Sequence, residues 1–324
     1  MEEDKRHIIS PNSDDSGCPP INLRPRHQPL ISTPFGPIKR WAELGCIIKL
    51  FFVGTILSLI VVIGLIISNL VEQCNEDFTV SLIQLIGAVF CIYYITRGIL
   101  QDNRNELGAF IVSILLEITR SIVNYAVLAD ELKPEILPRF AIIVSCGFVL
   151  VAFSLWLMIN VNMMPFRVSG ALEEQQLQYK RLIRCISLLT FDLQAQLCLS
   201  VLVLFSGVYK INLLHSVLLS IGLIWACIKV SVGIIGILRE IKCLVWIFLL
   251  QNIPELAYLC YLLYKLSVDW GSGESYTLEA TAVVGSIMSV TIKVVLSWHL
   301  YHVYRSFGQG LRERMFSSYD QIDS

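Results

Sequence analysis

The stretch KCLVWIFLLQNIPELAYLCYLLYK (Lys242–Lys265) is long enough to cross a bilayer, yet it carries Gln251, Asn252, Pro254 and Glu255 at its midpoint. A spanning helix needs about 20 predominantly apolar residues. A carboxylate at its centre costs roughly 2.5–3.5 kcal/mol on insertion scales unless it is paired or wet. Glu255 is therefore predicted to face a bundle interior or a solute path. Pro254 has no N–H with which to bond the carbonyl of Leu250 one turn earlier. It reads as a helix break that leaves an acceptor free beside the acid.

The rest of the chain has the same character. It is 55% hydrophobic and 16% charged, with a mean hydropathy of +0.66, too apolar and too charge-poor for an ordinary soluble protein. A formal net charge of −1 provides no basic face for nucleic acid. Eight apolar segments are near or above spanning length: Cys46–Val71, Val80–Leu100, Leu107–Leu128, Phe140–Val161, Leu182–Val208, Leu213–Leu238, Cys243–Tyr264 and Leu278–Tyr304. The fold class they predict is all-α: a polytopic helical membrane bundle of about eight transmembrane helices over residues 46–304. Seven helices are the main rival, because the third segment carries three polar residues and the turn Tyr209–Asn212 is very short.

Residues 1–45 hold seven prolines among Ser, Asp and Arg, and read as a disordered tail without a signal peptide. Residues 305–324 form a second polar tail. Lys and Arg stay cytosolic when loops are short. Seventeen fall in the two tails and the alternate loops that share their side, and four fall on the other side, so both tails are predicted to be cytosolic. Loops this short leave no room for a soluble catalytic domain. There is no Gly-x-Ser-x-Gly, no His-Glu-x-x-His and no phosphate loop. No enzymatic activity, cofactor or metal set is expected. The longest internal loop, Asn162–Arg181, is predicted to start a helix at Ser169 or Gly170 that runs into the fifth span.

Charged and amide residues recur midway along the spans. Glu117 and Arg120 lie three apart on the third, with Asn124 four further on, so all three share a face. Asp192 and Gln196 share a face of the fifth, Lys229 lies on the sixth, Asn252 and Glu255 on the seventh, and Lys293 on the eighth. Three acids match three bases, so one neutral cluster is predicted, cheaper than separate exposure to lipid. Static pairs that fix helix register and a hydrated path that exchanges a proton or cation explain this set equally well. Small residues four apart, such as Gly54/Ser58, Gly222/Ala226 and Gly285/Ser289, suit close helix packing within the chain or in a homo-oligomer.

The tails carry address-like motifs. Tyr319-Asp-Gln-Ile322 fits the Tyr-x-x-bulky pattern that clathrin adaptors bind as an extended strand. It points to traffic between the plasma membrane and endolysosomal membranes.

The run CIYYITRGILQDNRNELGAFIVSILLEITRSIVNY (Cys91–Tyr125), with SLLTFDLQAQLCLSVLVL (Ser187–Leu204), resembles an uncharacterised family of multi-pass membrane proteins in animals that bears only a domain-of-unknown-function label. The resemblance implies the class and no activity. A G-protein-coupled receptor is disfavoured: the third span lacks Asp/Glu-Arg-Tyr and the seventh lacks Asn-Pro-x-x-Tyr. Three functions stay open, in this order: a transporter or channel for a small ion or solute, a non-catalytic scaffold or trafficking protein, and an atypical receptor.

Overall fold

The computed structural model describes residues 30–33, 36–72, 76–127, 136–159, 164–170, 172–205, 213–268 and 276–309. The helices are α1 (Cys46–Glu72), α2 (Glu76–Leu100), α3 (Arg104–Val127), α4 (Ile136–Ile159), the short α5 (Met164–Ser169), α6 (Glu173–Phe205), α7 (Leu213–Leu238), α8 (Lys242–Val268) and α9 (Tyr276–Arg305). Seven of them are long and apolar enough to cross a membrane. The exceptions are the six-residue α5 and α3. In α3 the length is not the reason. Its 24 residues span about 36 Å at 1.5 Å each, which is enough, but its charges lower its hydropathy. The chain is an all-α polytopic bundle, and each expected segment is one long helix.

The helices form two rings of four. In the first, α1 packs on α2, α2 on α3, α3 on α4 and α4 back on α1. In the second, α6, α7, α8 and α9 close in the same order. The rings meet where α6 lies against α2 and α3. Outward faces are apolar, with Leu50 74% and Ile159 77% exposed, as a surface solvated by lipid requires. One core cluster fills the first ring around Tyr94 and Phe110, and another fills the second around Leu189, Phe248 and Leu296.

The segments just before α1 and just after α9 share one face. Lys39 pairs with Asp102 of the α2–α3 turn at 2.9 Å, and Glu43 with Arg167 of α5 at 3.0 Å. Beyond α9, the Gly308 N–H donates to Glu240 of the α7–α8 turn at 2.8 Å, and Gln309 meets Gln178 near the start of α6. Start and finish on the same side require an even number of crossings. That counts α3 with the other seven, and eight fits where seven does not.

Part of the expected N-terminal tail is folded. Ile31–Thr33 (β1) and Gly36–Ile38 (β2) form an antiparallel hairpin, with Ile31 opposite Ile38. The Lys39 N–H caps α2 by donating to the Leu100 carbonyl at 2.8 Å. Leu30 packs against the core of the second ring. Pro37 suits the end of a two-stranded edge, where its missing donor matters least. Residues 1–29, and the Tyr319–Ile322 motif, lie outside the described residues. The expected helix into the fifth span starts at Glu173 and runs 33 residues without interruption. Nor does α8 break at Pro254: it is helical from Lys242 to Val268, so the proline removes its own bond and leaves the flanking turns in place.

The rings are also related in sequence. Gly98-Ile-Leu-Gln-Asp102 ends α2 and Gly236-Ile-Leu-Arg-Glu240 ends α7, 138 residues on. Asp102 (φ 51°) and Glu240 (φ 54°) both take the left-handed conformation that closes a helix. In each turn the residue after the left-handed one donates back five positions: Asn103 N–H to the Gly98 carbonyl at 3.0 Å, and Ile241 N–H to the Gly236 carbonyl at 3.0 Å. The glycines admit the returning helix, since a Cβ would lie 2.9 Å from Leu107 Cδ2 at Gly98 and 3.0 Å from Leu244 Cβ at Gly236. The same spacing of 138 pairs buried Ala88 with Ala226 and buried Phe110 with Phe248, and also relates Glu117 to Glu255.

Candidate functional site

Four charges meet inside the second ring, each well within its helix. Asp192 comes from α6, Lys229 from α7, Glu255 from α8 and Lys293 from α9. Lys229 Nζ lies 2.5 Å from Glu255 Oε2 and 3.5 Å from Asp192 Oδ2. Lys293 Nζ lies 2.7 Å and 3.1 Å from the same two oxygens. Each lysine therefore bridges both acids, and the set is neutral. Gln196 Nε2 donates to Asp192 Oδ2 at 2.6 Å and to Glu255 Oε2 at 3.1 Å, and Lys229 donates to Asn252 Oδ1 at 3.0 Å. All three Lys229 donors have acceptors, and the Phe248 ring lies 5.4 Å from its nitrogen.

Burial within the quartet is unequal. The side chains of Asp192 and Lys229 are 0% exposed, Lys293 4% and Glu255 20%. One oxygen of each acid holds three donors, while the buried Asp192 Oδ1 has no partner among the described residues. Ser289 Oγ, one turn before Lys293 on α9, is likewise buried and without a partner. Such an arrangement has a base site inside, at Asp192 Oδ1, and an acid at its edge, at Glu255.

The prediction that Glu117 and Arg120 join this cluster does not hold for Glu117. Its carboxylate lies in the other ring against Gly87 of α2, where an added Cβ would meet Oε1 at 2.5 Å. It lines a cavity of about 60 Å³ with Ser58 and Ile66 of α1, Gln84 and Cys91 of α2 and Gly147 of α4. Helix rotation separates the groups: α3 turns its acid toward α1, α2 and α4, away from α8 and α9. The side chains of Arg120 and Asn124 lie outside the described residues.

A second polar network went unread in the sequence. Arg97, near the end of the second apolar segment, lies in the last turn of α2 and is buried. It pairs with the fully buried Glu106 at 3.3 Å and donates to Gln101 Oε1 at 2.7 Å and to the Tyr93 hydroxyl at 2.7 Å. Ser187 of α6 donates to Glu106 at 3.1 Å and accepts from Asn103 at 3.2 Å. Lower in the same seam, the Tyr94 hydroxyl donates to Gln194 at 2.9 Å. These bonds join α2 and α3 to α6. The available signal was the excess of polar residues in QDNRNE, longer than a plain turn needs.

A family model described as a domain of unknown function (DUF7789) matches residues 35–160 and 169–302. The first stretch contains α1–α4 and the second α6–α8 with most of α9. No curated protein and no solved structure matches the chain.

Proposed function

The chain belongs to the DUF7789 family, a domain of unknown function, and we propose that it is a transporter or channel for a small ion or solute, worked by the acid and base groups of the second ring. The observation that carries this reading is the quartet's asymmetry: a neutral, mutually paired set of four charges with one carboxylate oxygen inside that has no partner among the described residues and one carboxylate at the edge. A pair that only fixes register needs two charges and complete satisfaction. Here two lysines share two acids, so a proton or cation arriving at Asp192 or Glu255 displaces a lysine contact without leaving either lysine alone. The bases hold the site when it is empty. Intramembrane ionisable groups mark such paths in known transporters.

The rest of the reading rests on sequence features. The protein carries out no chemistry on its substrate. Tyr319 and Ile322 direct it between the plasma membrane and endolysosomal membranes through a clathrin adaptor. A second copy packs on α1, where Gly54 and Gly64 face open space.

The test is flux in vesicles that contain the purified full chain, driven by a pH gradient or by a gradient of one cation at a time. Wild type should dissipate at least one gradient, and Asp192→Asn and Glu255→Gln should abolish this. The charge-balanced pair Glu255→Gln with Lys293→Met should keep the fold and still carry nothing. Wild-type vesicles that hold every gradient defeat the reading and favour a scaffold that acts through its tails. A balanced pair that restores flux shows the charges to be structural.

A further inference from the structure

The start of α6 packs beside the end of α9 on the face predicted to be cytosolic. Glu174, Gln178 and Arg181 follow at four and three residues along α6, and His302 and Arg305 at three along α9, so each set falls on one side of its helix. Between the two sets is a cavity of about 320 Å³ that all five residues line. Neither guanidinium has a hydrogen-bond or ion-pair partner among the described residues, and Arg305 lies 6.0 Å from the Tyr301 ring. Arg184 and His299 stand one turn deeper, and the charges of Arg181, Arg184 and His302 all act on His299. Acceptors are open too. Gln178 Oε1 is buried without a partner among the described residues, and the Glu174 carboxylate makes no ion pair there.

We infer that this cavity binds a phosphorylated polyol, the headgroup of an anionic lipid of the phosphoinositide class. The unpaired forks of Arg181 and Arg305 suit phosphate oxygens, which a guanidinium grips two at a time. Gln178 Oε1 and Glu174 suit ring hydroxyls, which donate to them. A bare phosphate would leave the first without a donor and be repelled by the second. About 15 Å³ admits one water, so the space holds a six-membered ring with its phosphates. Depth points to a lipid as the source. Tyr301 and Trp298, one and two turns in from Arg305, are 55% and 65% exposed, as aromatic residues are at a membrane boundary. A headgroup seated above them has its chains in the bilayer, and basic pockets between spanning helices hold such headgroups.

This site is independent of transport by the quartet, because occupancy is read without flux. The full chain in a neutral detergent is titrated with dioctanoyl phosphatidylinositol bisphosphate and followed by thermal unfolding. Dioctanoyl phosphatidylserine and free inositol trisphosphate are run beside it. Tm should rise saturably with the inositol lipid, and less with the other two at equal concentration. Arg181→Gln and Arg305→Gln should each raise the half-saturating concentration about tenfold or more. Should both fail to fold, Gln178→Met removes the buried acceptor and should raise it about threefold or more. Lys180→Gln, exposed beside Arg181 and outside the cavity lining, removes the same charge and should leave it unchanged. A wild-type response to the inositol lipid no greater than that to phosphatidylserine overturns the inference. So do folded variants of Arg181, Arg305 or Gln178 that respond as wild type does, and a Lys180→Gln protein weakened as much as they are. Inositol trisphosphate that protects at the same concentration as the lipid overturns the assignment to a lipid.

Discussion

The two rings share connectivity, a turn motif and a glutamate, and they differ in where they keep their charge. The first ring places its buried ion pair, Arg97 with Glu106, where α2 ends and α3 begins. Its mid-helix glutamate faces a cavity. The second ring places two acids and two bases at its centre and fills the space with lysine side chains. A buried charge near an end fixes how helices join, whereas a set at mid-depth sits where a permeating ion must pass. The second ring holds four charges in mutual contact at that depth.

Substitutions at equivalent positions test that contrast. The largest effect is expected at the centre of the second ring. Lys229→Met leaves Lys293 facing two buried acids and should cost about 3–5 kcal/mol in unfolding free energy. Cys91→Met, at the matching place beside the cavity, should cost less than about 1.5 kcal/mol. Equal losses at the two positions would end the comparison. Next comes Arg97→Met, which leaves Glu106 buried without its guanidinium and should cost about 3 kcal/mol, read by chemical unfolding in detergent. Its effect on flux should track stability alone, unlike that of Glu255→Gln. Third, the balanced pair Glu255→Gln with Lys293→Met should recover about 1–3 kcal/mol relative to the sum of its single substitutions. Additive losses would mean that the two groups do not share an environment. The smallest effect is expected at the matched turns. Gly236→Ala meets the rigid Cβ of Leu244, and Gly98→Ala meets the movable end of Leu107. The first should be the costlier by about 1 kcal/mol, and the reverse order would show that the turns do not bear equivalent loads.

Much of the fold is legible in the sequence, because the feature that makes a spanning helix is local. Eight apolar runs give eight helices, and the ends move by a few residues where capping turns of polar residues remain helical: α2 starts at Glu76, not Val80, and α3 at Arg104, not Leu107. The members of the quartet are legible as well, since Asp192, Lys229, Glu255 and Lys293 are costly in apolar surroundings and need one another. Glu117 is misread because a charge in a span signals that it is turned inward and does not say toward which neighbours. That depends on the rotation of α3, set by the packing of Phe110 and Ile114. Arg97 and Glu106 escape notice because charges at span ends look like ordinary loop residues. The kinship of the rings is faint because lipid accepts any apolar residue on the outer faces. Resemblance then survives at inward positions, where a glycine, a cap, a core residue such as Phe110 or Phe248, or an inward glutamate constrains the choice.

The shared face of the segments that flank α1 and α9, noted above for the count of crossings, also bears on how the two rings are oriented. A unit of four crossings starts and finishes on the same side. A copied unit therefore inserts in the same orientation as its parent, with Glu117 and Glu255 at one depth and pointing the same way along the membrane normal. An odd-numbered unit would invert, giving the antiparallel pairs seen in many carriers. At the matching position the second ring carries the Lys229 ammonium against Glu255, where the first has Cys91 beside an opening.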